Sequence, residues 1–284
     1  MMNFLTEPLG YEFFVRGLVA ASIVGLACAI VGSYMVLRGL VFMGDAISHS
    51  AFPGVVIAYL LAWPLYLGGA IAAVATALAI GWISRRASLR NDTAIGVLFA
   101  SMFALGIALF SAIPNYVGDL FAFLFGNVLG ISGDDLLGLA ILAAIVLAVV
   151  GILWKEFLYA TFDPLGAAAS GLPVARLEYL FLALIALTIV VSLQAVGIIL
   201  VVAMLVTPAA TAQLLSIRFS RLMAGAVAVG VASSVVGLYV SYWLNIASGA
   251  TIVLVQALIF AVVFALSPRV GLIQRRRTVA VSSV

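Results

Sequence analysis

Uninterrupted apolar runs of about 20 residues fill this sequence, separated by short connections that hold nearly all of its charges. At ~1.5 Å per residue, each run is long enough to cross the ~30 Å hydrocarbon core of a bilayer as a helix. In lipid, backbone N–H and C=O groups must pair internally, so spanning structures are helices or closed barrels. Barrel strands alternate apolar and polar residues over about 10 positions, whereas these runs are continuous and rich in Ala, Leu, Val and Ile. With 66% hydrophobic and 8% charged residues over 284 positions, a water-soluble globule is excluded. The spans leave no room for a soluble catalytic domain. The expected fold is an all-α polytopic membrane protein, one transmembrane domain over residues 1–284.

The apolar stretches cover 14–37, 42–61, 65–83, 93–113, 136–154, 177–193, 197–217, 222–244 and 251–266. That makes nine spans, or eight if the soft break at 194–197 does not divide the sixth from the seventh. Basic residues fall at Arg38, Arg85, Arg86, Arg90, Lys155, Arg176, Arg218, Arg221 and from Arg269 to Arg277. Placing these connections in the cytoplasm leaves the N-terminus outside and the C-terminus inside. Residues 117–131 are too short for a comfortable span, are interrupted by Gly126-Asn127, and have only acids at their flanks (Asp119, Asp134, Asp135). They are expected to form a re-entrant or half helix buried against its neighbours. Glu7 and Glu12 ahead of a long first stretch argue against a cleavable signal peptide. Cys28 is the only cysteine, so there is neither a disulfide framework nor a cysteine metal cluster. The scattered basic residues orient helices and form no nucleic-acid patch. Arg275-Arg276-Arg277 suits the anionic inner leaflet, and Trp63, Tyr66, Trp154 and Trp243 suit interfacial belts of the lipid. In the first span Ala21, Gly25, Cys28 and Gly32 place small side chains on one face for close helix packing.

The only histidine breaks the apolar pattern. Asp45 and His49 are four residues apart, so on a helix they project from one face. Ser48 flanks them, and Pro53-Gly54 weakens the helix one turn later. Ionisable residues inside a membrane segment are costly unless they are paired or face water, which marks them as functional candidates. A carboxylate with an imidazole suits manganese, iron(II) or zinc. The competing reading makes Asp45 a helix cap and His49 a packing residue. Two ligands cannot complete a coordination sphere, so water, backbone carbonyls or a second copy of the chain would be needed. Gln194 and Thr207, the latter beside Pro208, are weaker candidates for lining a path, with Ser48.

The stretch Leu37-Arg38-Gly39 followed by Gly44-Asp45-Ala46-Ile47-Ser48-His49 resembles the second-helix motif of manganese/zinc/iron-type ABC importer permeases. Further motifs follow in order along most of the chain. Asn91-Asp92-Thr93-Ala94-Ile95-Gly96 departs from the family's pattern only in Asn for Ser. Asp119-Leu120-Phe121 with Leu124-Phe125-Gly126-Asn127-Val128-Leu129 is similar to its re-entrant region. Phe162-Asp163, Ala169 and Gly171-Leu172-Pro173 are similar to its cytoplasmic connection. Gln194-Ala195-Val196-Gly197 and Ala203-Met204-Leu205-Val206-Thr207-Pro208-Ala209-Ala210-Thr211-Ala212 are similar to its later helices.

The resemblance implies a type II ABC importer transmembrane fold, eight or nine spans plus the re-entrant element, in a bacterial cytoplasmic membrane. It implies a homodimeric permease that receives a divalent metal from an extracellular or periplasmic binding protein, with two cytoplasmic ATP-binding subunits as motor. Asp45 and His49 would form a metal-coordinating gate, and no cofactor would be held permanently. Manganese is favoured over zinc or iron, because the motifs look most like the manganese branch and no histidine-rich loop is present. Topology places Asp45 just inside the second span, near the cytoplasmic side.

The chain has no motor of its own: its one lysine, Lys155, precedes Glu156, so no phosphate-cradling Lys-Ser/Thr loop exists. It is therefore not expected to be an enzyme. Within 160–175, Asp163 suits a helix N-cap, Pro164 the first helical position and Gly171 the end. By resemblance this short helix, with Gly166 and Ala167, couples the permease to the ATPase. The alternative of a different class is a proton-coupled secondary metal transporter with Asp45 carrying the proton. An intramembrane metalloprotease would need a second histidine.

Overall fold

The computed structural model describes residues 6–86, 91–113 and 128–267, without the side chains of residues 91, 194–196, 198 and 199. Eleven helices are described: α1 (Glu12–Leu37), α2 (Val41–Leu60), α3 (Leu65–Arg86), α4 (Asn91–Ser111), α5 (Gly133–Ile152), α6 (Trp154–Phe162), α7 (Pro164–Ala169), α8 (Val174–Val196), α9 (Ile198–Leu215), α10 (Phe219–Leu244) and α11 (Ser248–Leu266). No strand occurs among the described residues.

Eight of these helices have the length and apolarity to cross a membrane, and α9 contributes a shorter apolar stretch, Leu200–Leu215. The division between α8 and α9 is sharp: Gly197 sits at φ +82°, a conformation that L side chains rarely adopt. Residues 117–127 of the expected re-entrant segment lie outside the described residues. Its end is a 3-10 turn, Val128–Gly130, whose Val128 is fully buried against α1 beside Gly17.

Helix α1 occupies the centre of the bundle and packs against α5, α8, α9 and α10. Ala21, Gly25, Cys28 and Gly32 are buried as expected, but so are Ala20, Val24, Ala27, Ala29, Val31 and Tyr34. The helix is thus enclosed on more than its small face. A side chain at Gly25 would place Cβ 2.8 Å from the Gly230 carbonyl oxygen, and one at Gly230 would fall 2.7 Å from the Gly25 oxygen. Only glycine lets α1 and α10 meet so closely, which is how helices gain packing contact in lipid. Gly54 and Gly68 make the same kind of crossing between α2 and α3.

Side-chain contacts sort the connections into two ends. At one end Arg85 pairs with Glu178, Arg38 reaches Thr161, and Ser267 Oγ donates to the Leu214 carbonyl at 3.1 Å. Every described basic connection lies there. At the other end the Tyr11 and Tyr242 rings approach to 6.3 Å between centroids. This is the alternation that the charge pattern requires. Trp154, at the end of its apolar run, is half-buried, meeting Tyr34 edge-on at 6.0 Å and Phe219 in a tilted contact at 5.2 Å.

Candidate functional site

Helix α2 begins at Val41 after the three-residue connection Arg38-Gly39-Leu40 and lies against α3, α4, α8 and α9. Its buried faces hold Met43, Ala46, Ile47, Ser50 and Ala51. Asp45 and His49 occupy the remaining face together. The Asp45 Oδ1 to His49 Nε2 distance is 3.5 Å, and the side chains are 54% and 21% exposed, respectively. Such a separation is long for a hydrogen bond. It is close to the ~3.0–3.4 Å between neighbouring donors on one ion bound at ~2.1 Å to each, the upper value for tetrahedral geometry. At ~1.5 Å per residue, Asp45 and His49 lie about 6 and 12 Å into α2 from the basic end.

His49 Nδ1 is buried without a hydrogen-bond partner. The ring meets Phe99 and Phe103 of α4 edge-on, each at 5.2 Å, and those two rings stack on one another at 6.0 Å. These rings pack against the imidazole, whose Nε2 is turned toward Asp45. Pro53 lies inside α2 and has no N–H, so the His49 carbonyl lacks its usual donor four residues on. The site thus offers a carboxylate, an imidazole and an under-bonded carbonyl. Among the described residues no group of three or more His, Cys, Asp or Glu could hold a metal ion. One chain supplies only part of a coordination shell.

Toward the opposite end, a cavity of about 320 Å³ is lined by Val55, Leu65, Tyr66, Gly69, Asp135, Val190 and Leu193. Asp135 is its single carboxylate. Ser132 Oγ donates to Asp135 Oδ2 at 2.6 Å and accepts from the Asp135 N–H at 3.1 Å as the cap of α5.

The remaining sequence candidates separate. Ser48 is fully buried and donates to the Asp45 carbonyl at 2.9 Å, so its hydroxyl braces the helix. Thr207 is half-buried, and its carbonyl accepts from Thr211 Oγ1 at 2.7 Å. The side chain of Gln194 lies outside the described residues. The expected short helix forms as α7: Asp163 Oδ1 accepts from the Gly166 N–H at 2.8 Å, Pro164 takes the first turn, and Gly171 follows at φ +87°. Its outward face includes Ala168 and Ala169 of the alanine run, both exposed. Ala167 is 0% exposed and turned into its own chain, whereas Leu165 is 83% exposed. Sequence reading also passed over Phe99 and Phe103, although their spacing of four residues on an apolar helix is the signature of a paired aromatic face.

A sequence profile described as the ABC 3 transport family matches residues 10–267. A manganese transport system membrane protein of Listeria monocytogenes is 44% identical over 272 residues, covering 96% of this chain and 97% of that protein. A probable iron transport system membrane protein of Haemophilus influenzae is 40% identical over 277 residues, 98% of each chain. Among solved structures, PsaBC from Streptococcus pneumoniae in complex with Fab superposes with a TM-score of 0.86 at 35% identity, covering 97% of this chain and 99% of that one.

Proposed function

The chain belongs to the ABC 3 transport family, and from that premise we propose that it is the permease of an ABC importer for a divalent transition metal, manganese ahead of iron or zinc. The observation that carries this reading is the Asp45–His49 pair, 3.5 Å apart on the one open face of a buried helix. A second copy of the chain, facing the first across a shared path, brings a second carboxylate and imidazole and doubles the ligands to four. Oxygen and nitrogen donors of intermediate hardness suit manganese and iron(II), and no thiolate competes for softer ions.

An ion released by an external binding protein enters from the end that carries the 320 Å³ cavity. It exchanges water for the carboxylate and imidazole, and leaves toward the basic, cytoplasmic end when the two copies part. The Phe99–Phe103 wall holds His49 in its ligating orientation throughout. The work comes from ATPase subunits beneath the membrane, since this chain has no phosphate-binding loop. Helix α7 docks on them through Leu165, the side chain it turns outward. Asp163, Pro164, Gly166 and Gly171 shape that helix, and Ala167 seats it on the permease.

The test is uptake of radioactive manganese by the reconstituted complex with its ATPase and binding protein. His49→Ala abolishes uptake while the complex still assembles. Wild-type uptake by this variant refutes the gate. Proton-driven uptake by the permease alone, without ATPase, would make it a secondary carrier instead.

A further inference from the structure

Arg38 lies outside the transport site, just ahead of the helix that carries it, and its side chain touches the helix that leads to the docking element. Its own N–H donates to the Tyr34 carbonyl at 3.0 Å as α1 ends. Gly39 follows at φ +68°, with its N–H on the Val36 carbonyl at 3.2 Å and the Leu40 N–H on the Met35 carbonyl at 3.0 Å. These two bonds are those of a Schellman turn, so α1 and α2 are joined by a stiff elbow. Asp45 and His49 follow one and two turns into α2.

The guanidinium faces the other way. Nε donates to Thr161 Oγ1 at 2.9 Å and Nη2 to the Phe157 carbonyl at 3.3 Å; Thr161 Oγ1 in turn donates to that carbonyl at 2.6 Å, so the fork holds α6 by two adjacent, linked acceptors. Its central carbon lies 4.4 Å from the Phe181 ring centroid on α8, within cation–π range. Tyr34, one turn earlier, meets Trp154, Phe157, Phe181 and Phe219 at 4.7 to 6.1 Å. Helix α6 passes into α7 with only Asp163 between them.

We propose that Arg38 is the positioning residue through which movement of the docking helix reaches the gate helix, by coupling α6 to the elbow at Gly39. The inference rests on the permease reading above. A displacement of α7 carries α6 with it. The two-point fork converts that displacement into a turn of the elbow, and α2 moves with Asp45 and His49 on it. Lysine keeps the charge but has no planar fork, so it cannot hold both points of α6.

The experiment compares manganese uptake and ATP hydrolysis in liposomes holding the full complex with its binding protein. The variants are Arg38→Lys and Thr161→Val, and the readout is ions moved per ATP. Losing a charge-assisted hydrogen bond should cost roughly tenfold. Arg38→Lys should therefore lower ions per ATP by about that factor while hydrolysis continues, and Thr161→Val should lower it by less. A brace that only stabilises the fold would reduce uptake and hydrolysis together and leave the ratio unchanged; an unchanged ratio in assembled complex overturns the proposal. If Arg38→Lys does not assemble, Thr161→Val decides alone by the same ratio. A wild-type complex with no ATP-dependent uptake overturns the permease reading itself, a result distinct from an uncoupled variant.

Discussion

Gly106 lies on α4 where that helix crosses the proline of α2, one turn beyond His49. A Cβ at this position would stand 2.5 Å from Phe52 Cδ1 and 3.1 Å from Pro53 Cδ. Ordinary contact begins at 3.4 Å, so Gly106→Ala demands a displacement of roughly 0.9 Å on the scale at which cores resist overpacking. Phe52 has little freedom to yield: it is 5% exposed, with the rings of Phe103 and Phe110 at 6.4 and 6.1 Å. The strain therefore passes to α4, and with it to Phe99 and Phe103, which pack against the imidazole. Overpacking of this kind costs about 1–3 kcal/mol, more than the ~1 kcal/mol that Ala gains over Gly in helix propensity. Misplacing a positioned group by about 1 Å can cost ~100-fold. Gly106→Ala should lower manganese uptake by roughly tenfold or more, measured with radioactive manganese in proteoliposomes after complex yield is matched by size exclusion. Gly138→Ala, on a helix surface with nothing within 4 Å, should transport as wild type. Wild-type uptake by Gly106→Ala would show that the aromatic wall does not position His49.

Leu165→Glu should abolish stimulation of ATP hydrolysis while the permease stays folded, because it places charge on the outward face of α7; normal stimulation would move the docking surface elsewhere. Ala167→Trp should instead lower permease stability, seen as earlier thermal unfolding, since that side chain is buried in its own chain. Gly25→Val should destabilise the bundle by about 1–3 kcal/mol or prevent assembly, because α1 and α10 must separate; an unchanged unfolding temperature would contradict the crossing. Glu178→Gln should change stability by no more than about 1 kcal/mol and leave uptake intact, as its pair with Arg85 is partly exposed.

The spans were legible because lipid leaves a chain few options: continuous apolar runs with charges at their ends specify helices and their direction. The Asp45–His49 pair was legible for a local reason, since a spacing of four fixes a shared helix face whatever surrounds it. The cap and first turn of α7 were equally local. What escaped were features set by tertiary packing. The face that α7 turns outward depends on how α6 and α8 hold it, so Leu165 and Ala167 could not be told apart. Trp154 sits at the end of an apolar run like any interfacial tryptophan, and only the tertiary structure shows that Tyr34 and Phe219 cover part of it. The stretch from Lys155 to Phe162 carries no break signal of its own, yet it forms a separate helix after Leu153. Phe99 and Phe103 acquire meaning only once α4 lies beside His49.

Coordination of the transported ion offers the most direct test. Pulsed electron paramagnetic resonance on the manganese-loaded, wild-type permease complex should show nitrogen coupled to the metal, and this signal should vanish in His49→Ala. Asp45→Asn should weaken loading while retaining the nitrogen coupling. An all-oxygen coordination shell identical in the wild type and His49→Ala would contradict the assignment of this pair as the gate.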